Sequence, residues 1–102
     1  MNFVKAEAGP YNSVIFYDSS GKRYLARNGS RNYRNNNPGN LVPGELSKRN
    51  GQIGVAGKFA VFPDFEVGKR AMADSLRTVY GGRSLKEMIE RLVNSVKRSL
   101  TH

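Results

Sequence analysis

The chain of 102 residues contains no cysteine, and its single histidine is His102, the last residue. Without cysteine there is no disulfide framework and no thiolate to act as nucleophile or metal ligand. A single histidine cannot supply a multi-histidine zinc site. Disulfide-stabilised, thiol-redox and zinc-dependent classes of protein are therefore excluded, and no cofactor or metal is expected.

The sequence also lacks a recognisable targeting or membrane-spanning segment. Residues 1–20 show no basic stretch followed by an apolar one, and no run approaches the roughly 20 apolar residues that a membrane span needs. We therefore expect synthesis in the cytoplasm and no membrane insertion. Association with a virion, or delivery to the periplasm or to another cell, stays open because neither route requires such a signal.

Acidic residues are scarce relative to basic ones. The balance of 17 Lys and Arg against 8 Asp and Glu gives a formal charge of +9. Such an excess predicts a polyanionic partner, for example nucleic acid, anionic lipid headgroups or the acidic polymers of a bacterial wall. The bases are spread along the chain without a block of about five or six like charges. Both a dispersed surface charge and a binding patch are therefore compatible with the pattern.

Two strand-like runs predict a β-hairpin over about residues 13–27. SVIFY and RYLAR are rich in β-branched and aromatic residues or alternate in polarity, and the turn sequence DSSGK lies between them. The apolar run FAVF at 59–62 precedes Pro63, which favours an extended conformation before it. A short third strand is therefore expected at 59–62.

Helical periodicity dominates the C-terminal part of the chain. Asp64 is expected to cap a helix over about 64–80, which Gly81 and Gly82 would end. Ser84 and Glu87 have the spacing of a capping box for a second helix over about 84–99. We interpret the apolar stripes of both helices as core, packed on the hairpin. The predicted fold class is α+β, in the single domain that this length allows.

Residues 28–58 hold most of the glycine, show no sustained period and predict a long irregular loop, a kind of segment that often carries function. Within it, RNYRNNNPGN (31–40) is rich in asparagine, which favours turns. The asparagines either fix the loop to the body of the protein, with Pro38 and Gly39 forming a turn, or line a polar groove. The candidate ligand-binding residues are Arg31, Tyr33, Arg34, Asn36, Asn37 and Asn40, and the candidate structural residues are Pro38, Gly39, Phe59, Phe62 and Asp64.

Three segments together resemble a recurrent bacterial and phage domain. They are RNNNPGNL (34–41), GKFAVFPDFEVGKRAMADSLR (57–77) and SLKEMIERL (84–92). In that domain an R-N-N-N-P-G-N-I/L loop precedes a G-x-F-A-V-F block and a helix pair, and the resemblance covers roughly residues 22–92. The domain occurs in virion-associated proteins and in secreted polymorphic bacterial proteins, so the resemblance implies such a setting without implying a reaction.

A second, more distant resemblance is to lysozyme-like glucosaminidases. NNPGN (36–40), followed by FAVF and the acidic Asp64 and Glu66, is similar in order to their Asn-Asn loop, aromatic strand and helix start. The resemblance implies a peptidoglycan substrate. It departs from those enzymes at the catalytic glutamate, because no helical glutamate lies upstream of the loop. Glu45 is then the candidate acid, with a solvated loop carboxylate as its alternative interpretation.

Three classes of function follow. The first is a cell-wall-directed module that binds or cleaves peptidoglycan, with the loop as one wall of its cleft. The second is a basic nucleic-acid-binding module in which Tyr33 stacks on bases. The third is a non-catalytic structural or interaction domain. We favour peptidoglycan as the target, and whether the protein is an enzyme stays open. The sequence indicates no oligomeric state.

Overall fold

A computed structural model of the chain describes residues 2–80 and 85–100, which form five strands and four helices. The elements follow in the order β1 (Phe3–Ala8), β2 (Val14–Asp18), β3 (Arg23–Ala26), α1 (Arg31–Arg34), α2 (Glu45–Arg49), β4 (Gly54–Ala56), β5 (Phe59–Val61), α3 (Phe65–Tyr80) and α4 (Leu85–Leu100). They confirm the α+β class. The chain divides into two compact units, Met1–Met72 and Ala73–His102, and the single-domain prediction stays a prediction.

The five strands form one mixed sheet in the order β3-β2-β1-β4-β5. Strands β2 and β3 are the predicted hairpin, and β5 is the predicted short strand. Strand β1 pairs antiparallel with β2 and parallel with β4. Gly54 lies where β1 and β4 meet, and a Cβ there would lie 1.9 Å from the Ala6 carbonyl oxygen. Glycine therefore permits the close approach of these two strands.

Strand β5 contributes to two separate core clusters. Its side chains alternate between the two faces of the sheet. Val61 joins a cluster with Ala6, Val14 and Phe16 on one face. Ala60 joins another with Ala71 of α3 and with Phe62, the residue that follows the strand. Phe62 is fully buried, which contributes about 1.5–3 kcal/mol from removal of its apolar surface from water. The second cluster holds the start of α3 against the sheet.

Both long helices occur as predicted from the sequence. The side-chain Oδ1 of Asp64 accepts a 2.9 Å hydrogen bond from the Val67 backbone N–H, and this is the predicted cap of α3. Gly81, Gly82 and Ser84, which were predicted to end one helix and begin the next, lie outside the described residues. The described apolar side chains of α4 (Ile89, Leu92, Val93 and Val96) are 45–58% exposed. Their assignment to the core stays a prediction.

The segment 28–58 is more regular than the sequence predicts. It contains the two short helices α1 and α2 and the strand β4, rather than one irregular loop. Ser30 caps α1, because its Oγ accepts a hydrogen bond of 3.4 Å from the Tyr33 backbone N–H. These elements have only three to five residues each, so no periodic pattern could develop over their length.

Candidate functional site

The asparagine loop, defined here as residues 35–41, begins where α1 ends at Arg34. Asn36 and Asn40 have φ angles of 52° and 49°. Asparagine adopts this left-handed conformation more readily than most other residues, because its short side chain bonds locally. The two ends of the loop, at Asn35 and Leu41, lie beside the end of β5, because their carbonyls accept hydrogen bonds from the N–H groups of Phe62 and Ala60.

This loop completes the outer edge of the sheet. β5 is an edge strand, and every second residue of such a strand directs its backbone polar groups away from its neighbour. The Ala60 N–H donates to the Leu41 carbonyl at 2.9 Å, and the Phe62 N–H donates to the Asn35 carbonyl at 3.0 Å. The carbonyls of Ala60 and Phe62 accept hydrogen bonds from side-chain amides of the loop. The loop thus provides hydrogen-bond partners for the outward-facing backbone groups at this edge of the sheet, although it is not itself a strand.

Asn37 is the centre of this arrangement. Its Nδ2 donates to the carbonyls of Leu41 and Ala60, each at 2.9 Å, and its Oδ1 accepts from the Leu41 N–H at 2.9 Å. The side chain is fully buried. The geometry therefore gives Asn37 a structural role. Its predicted ligand contact stays a prediction.

The neighbouring candidates are also engaged by the fold. The Asn36 Nδ2 donates to the Phe62 carbonyl at 3.0 Å. Asn40 is half-buried, and its N–H donates to the Asn37 carbonyl at 3.1 Å. Pro38 and Gly39 contact α3: an added Cβ at Gly68 would meet the Pro38 Cδ, and one at Gly39 would meet Met72. These residues fix the loop, which is the first of the two sequence interpretations.

A groove of about 430 Å³ lies on the other side of α1. Its walls are the turn between β1 and β2, the helix α1, and the turn between β4 and β5. We call it the cationic groove because Arg31, Arg34 and Lys58 line it and none of its lining residues is acidic. Arg31 and Arg34 lie three residues apart on α1, a spacing that places two side chains on the same face of a helix.

Both arginines are held by neighbouring groups. The Arg31 Cζ lies 4.0 Å from the centroid of the Phe59 ring, in a cation–π contact. The Arg34 Nη1 donates a hydrogen bond to the Gly29 carbonyl. Each guanidinium carries five N–H donors. Both side chains are therefore positioned while retaining donors for a ligand.

Lys58 is the lining cation that the sequence analysis missed. It lies with Gly57 in the two-residue turn between β4 and β5, and Gly57 has a φ of 61°. A Gly-containing pair between two apolar runs is a hairpin signal. That signal could have located the turn. It could not have shown that the turn faces α1.

A second groove of about 390 Å³ lies on the opposite side of α1. We call it the aromatic groove because Phe3, Phe16, Tyr24 and Tyr33 line it, together with Arg27 and Arg34. Tyr33 is 70% exposed, and its ring centroid lies 5.9 Å from that of Phe65. Arg34 lines both grooves.

The candidate acid Glu45 lies apart from both grooves. It is exposed in the first turn of α2 and lines neither of them. Among the other acids of the sheet, Glu7 accepts a hydrogen bond from the Tyr17 hydroxyl, which raises the pKa of that tyrosine. Asp18 is bonded within the turn that follows β2. Among the residues that the structure describes, neither groove is therefore lined by a carboxylate that could act as a general acid.

Within residues 2–80 and 85–100, no three side chains of His, Cys, Asp or Glu group closely enough to hold a metal ion. The helices of that same part of the chain do not combine the length and apolar character of a membrane span. The fold and site define an α+β protein with a cationic groove beside a half-buried asparagine loop. No protein-family model, curated protein or solved structure matches the chain.

Proposed function

We propose that this protein is a non-catalytic module that binds bacterial peptidoglycan through the cationic groove. The observation that carries the proposal is the lining of that groove, in which Arg31, Arg34 and Lys58 occur without any acidic residue. Peptidoglycan carries carboxylates on its peptides, and guanidinium groups bind carboxylates through paired hydrogen bonds. The formal charge of +9 favours approach to such a polymer.

The resemblance to the phage and bacterial domain supports the setting of this proposal. A module carried on a virion, or delivered by a secretion machine, meets the cell wall of a bacterium. The sequence segments behind that resemblance include the asparagine loop and FAVF (59–62), which bond to each other along the sheet edge. The same segments also place Phe59 beneath Arg31.

The placement of the carboxylates supports binding without cleavage. Glycosidases that retain or invert configuration hold two carboxyl groups roughly 5–9.5 Å apart across the bond that they break. Neither groove has even one carboxylate among its lining residues. Glu45 is exposed on α2 and lacks the apolar enclosure that such an acid requires.

A second candidate function is binding of single-stranded nucleic acid in the aromatic groove. The observation that favours it is the largely exposed ring of Tyr33 beside Arg27 and Arg34. Bases stack on exposed aromatic rings, and basic side chains bind the phosphates between them. This candidate uses the other side of α1 and can be tested separately.

The test is co-sedimentation of the full chain with insoluble peptidoglycan, with single-stranded DNA as competitor and muropeptide release measured in the same tubes. Lys58→Gln should weaken wall binding, whereas Lys48→Gln, which removes the same charge from exposed α2, should not. Muropeptide release that disappears in Glu45→Gln would instead establish a hydrolase. DNA binding that disappears in Tyr33→Ala would favour the nucleic-acid candidate, and binding to neither polymer would leave an interaction domain.

A further inference from the structure

We infer that the cationic groove recognises the carboxylates of the peptidoglycan stem peptides and not its sugar chain. This inference rests on the proposed function and names the part of the polymer that is bound.

The charges of peptidoglycan lie on its peptides. The lactyl carboxyl group of muramic acid forms an amide with the first residue of the stem peptide, so the acetylated sugars of the backbone are neutral. The stem peptides retain free carboxylates on side chains and at their carboxyl ends. A groove lined by Arg31, Arg34 and Lys58 offers donors with positive charge, which contribute most where the acceptor is itself charged.

The groove offers little aromatic surface on which a neutral sugar ring could stack. Sugars pack their C–H faces on exposed aromatic rings, and Phe59 is the one aromatic residue among the lining residues that the structure describes. The Arg31 guanidinium lies over that ring, with 4.0 Å between its Cζ and the ring centroid. This contact places a guanidinium group over one face of the Phe59 ring. The chemistry of the surface is therefore that of a carboxylate site.

The arginines are also restrained before any ligand arrives. Arg31 is stacked on Phe59, and Arg34 is bonded to the Gly29 carbonyl. Positioned side chains lose less conformational freedom on binding, and this favours affinity. Lys58 on the opposite turn adds a third charge. Two arginines and a lysine can bind more than one carboxylate, and a stem peptide can supply more than one.

The experiment compares three soluble probes by isothermal titration calorimetry with the full chain. They are a disaccharide peptide with free carboxylates, the same compound with those carboxylates amidated, and glycan chains from which the peptides have been removed. Amidation should weaken binding at least about tenfold, the effect of losing one charge-assisted hydrogen bond. Peptide-free glycan should not compete with the first probe.

Variants of groove residues test whether the effect of amidation on affinity arises in the cationic groove. In Arg31→Gln and in Lys58→Gln, the difference between free and amidated probes should shrink, as expected when a variant and a ligand change remove the same contact. Lys48→Gln should retain the full difference. Circular dichroism melts establish that each variant is folded, and Lys58 lies on an exposed turn where the fold tolerates the change.

The outcomes separate this inference from the proposed function. If intact peptidoglycan binds while peptide-free glycan competes equally well, the carboxylate inference is overturned and the proposed function stands. The same holds if amidation leaves the affinity unchanged. If intact peptidoglycan does not bind at all, the proposed function fails and the inference fails with it.

Discussion

The side-chain amide of Asn37 donates a 2.9 Å hydrogen bond to the carbonyl oxygen of Ala60, 23 residues further along the chain. Ala60 lies on an edge strand, where a backbone carbonyl would otherwise face away from the sheet without a partner. An asparagine side chain presents the same amide group as a peptide bond. Asn37 therefore replaces the strand that would continue the sheet at this position.

We predict that Asn37→Ala destabilises the protein strongly. The change removes three hydrogen bonds in a fully buried site and leaves the Ala60 carbonyl unsatisfied. The expected loss is about 3 kcal/mol or more, because each buried group left without a partner costs about 1–3 kcal/mol. Urea denaturation followed by circular dichroism measures it. Asn28 is exposed, and Asn28→Ala is the matched control, for which we expect the free energy of unfolding to change by no more than about 0.5 kcal/mol. Equal midpoints for the two variants would contradict the structural role.

Replacing Gly68 tests how closely the loop lies against α3. Gly68 is buried in that helix, and an added Cβ would lie 1.8 Å from the Asn36 carbonyl oxygen. In an open helix, Gly→Ala stabilises by about 0.5–1 kcal/mol. Here we expect Gly68→Ala to lower the free energy of unfolding by about 1–3 kcal/mol, because the backbone of the loop must move away from the added Cβ.

Gly39→Ala provides the comparison for Gly68. A Cβ at Gly39 would lie 2.9 Å from the Met72 Cγ, which belongs to a flexible side chain. Gly39→Ala should therefore lose less stability than Gly68→Ala when both variants are compared by thermal denaturation. A Gly68→Ala protein that melts at or above the wild-type temperature would contradict the close contact.

Asp18 makes the stability of the hairpin depend on pH. Its Oδ1 accepts hydrogen bonds from the Ser20 hydroxyl at 2.6 Å, the Ser20 N–H at 2.9 Å and the Lys22 N–H at 3.0 Å. These bonds hold the pKa of Asp18 below the ordinary aspartate value, and the bond from the Ser20 hydroxyl has the largest effect. In the unfolded chain the carboxyl keeps its ordinary pKa, so acid protonates the unfolded state first.

The stabilisation from Asp18 is therefore fully present above the ordinary aspartate pKa and is lost as the pH falls through the lowered one. Asp18→Asn keeps an acceptor oxygen and removes the titrating group. We expect the variant to be less stable than wild type at pH ~7 and to lose less stability on acidification below pH ~4. Urea denaturation across this pH range measures both. Parallel pH profiles for the two proteins would contradict the assignment.

Much of the fold could be predicted because its main elements have strongly periodic sequence patterns. The β2–β3 hairpin and both long helices follow from runs that are long or bounded by clear turn residues. Strand β1 (FVKAEA) alternates in polarity from Val4 to Ala8, but it was missed because alanine, lysine and glutamate, which make up most of it, are depleted in strands. Strand β4 has only three residues, too few for any periodicity.

The candidate site was predicted less completely, for a different physical reason. The asparagine-rich segment was recognised as important, but the bonds of Asn37 reach a strand 23 residues away. Such pairing depends on the sheet order, which no local pattern encodes. The contribution of Lys58 was missed for the same reason, since the approach of its turn to α1 is a tertiary relationship. Arg31 and Arg34 were found because they adjoin the asparagines in sequence.

Lys58 and Tyr33 distinguish the two grooves beside α1. Lys58 lines only the cationic groove, and Tyr33 lines only the aromatic groove, whereas Arg34 lines both. Lys58→Gln should therefore weaken peptidoglycan binding and leave DNA binding nearly unchanged. Tyr33→Ala should do the reverse, because loss of one base–aromatic stack costs about 1–3 kcal/mol. Arg34→Gln should weaken both interactions and keep the fold, since the Arg34 side chain bonds only an exposed loop carbonyl among the described contacts. Parallel titrations of the three variants with peptidoglycan fragments and single-stranded DNA measure these effects, and identical responses of Lys58→Gln and Tyr33→Ala would show that the grooves do not act separately.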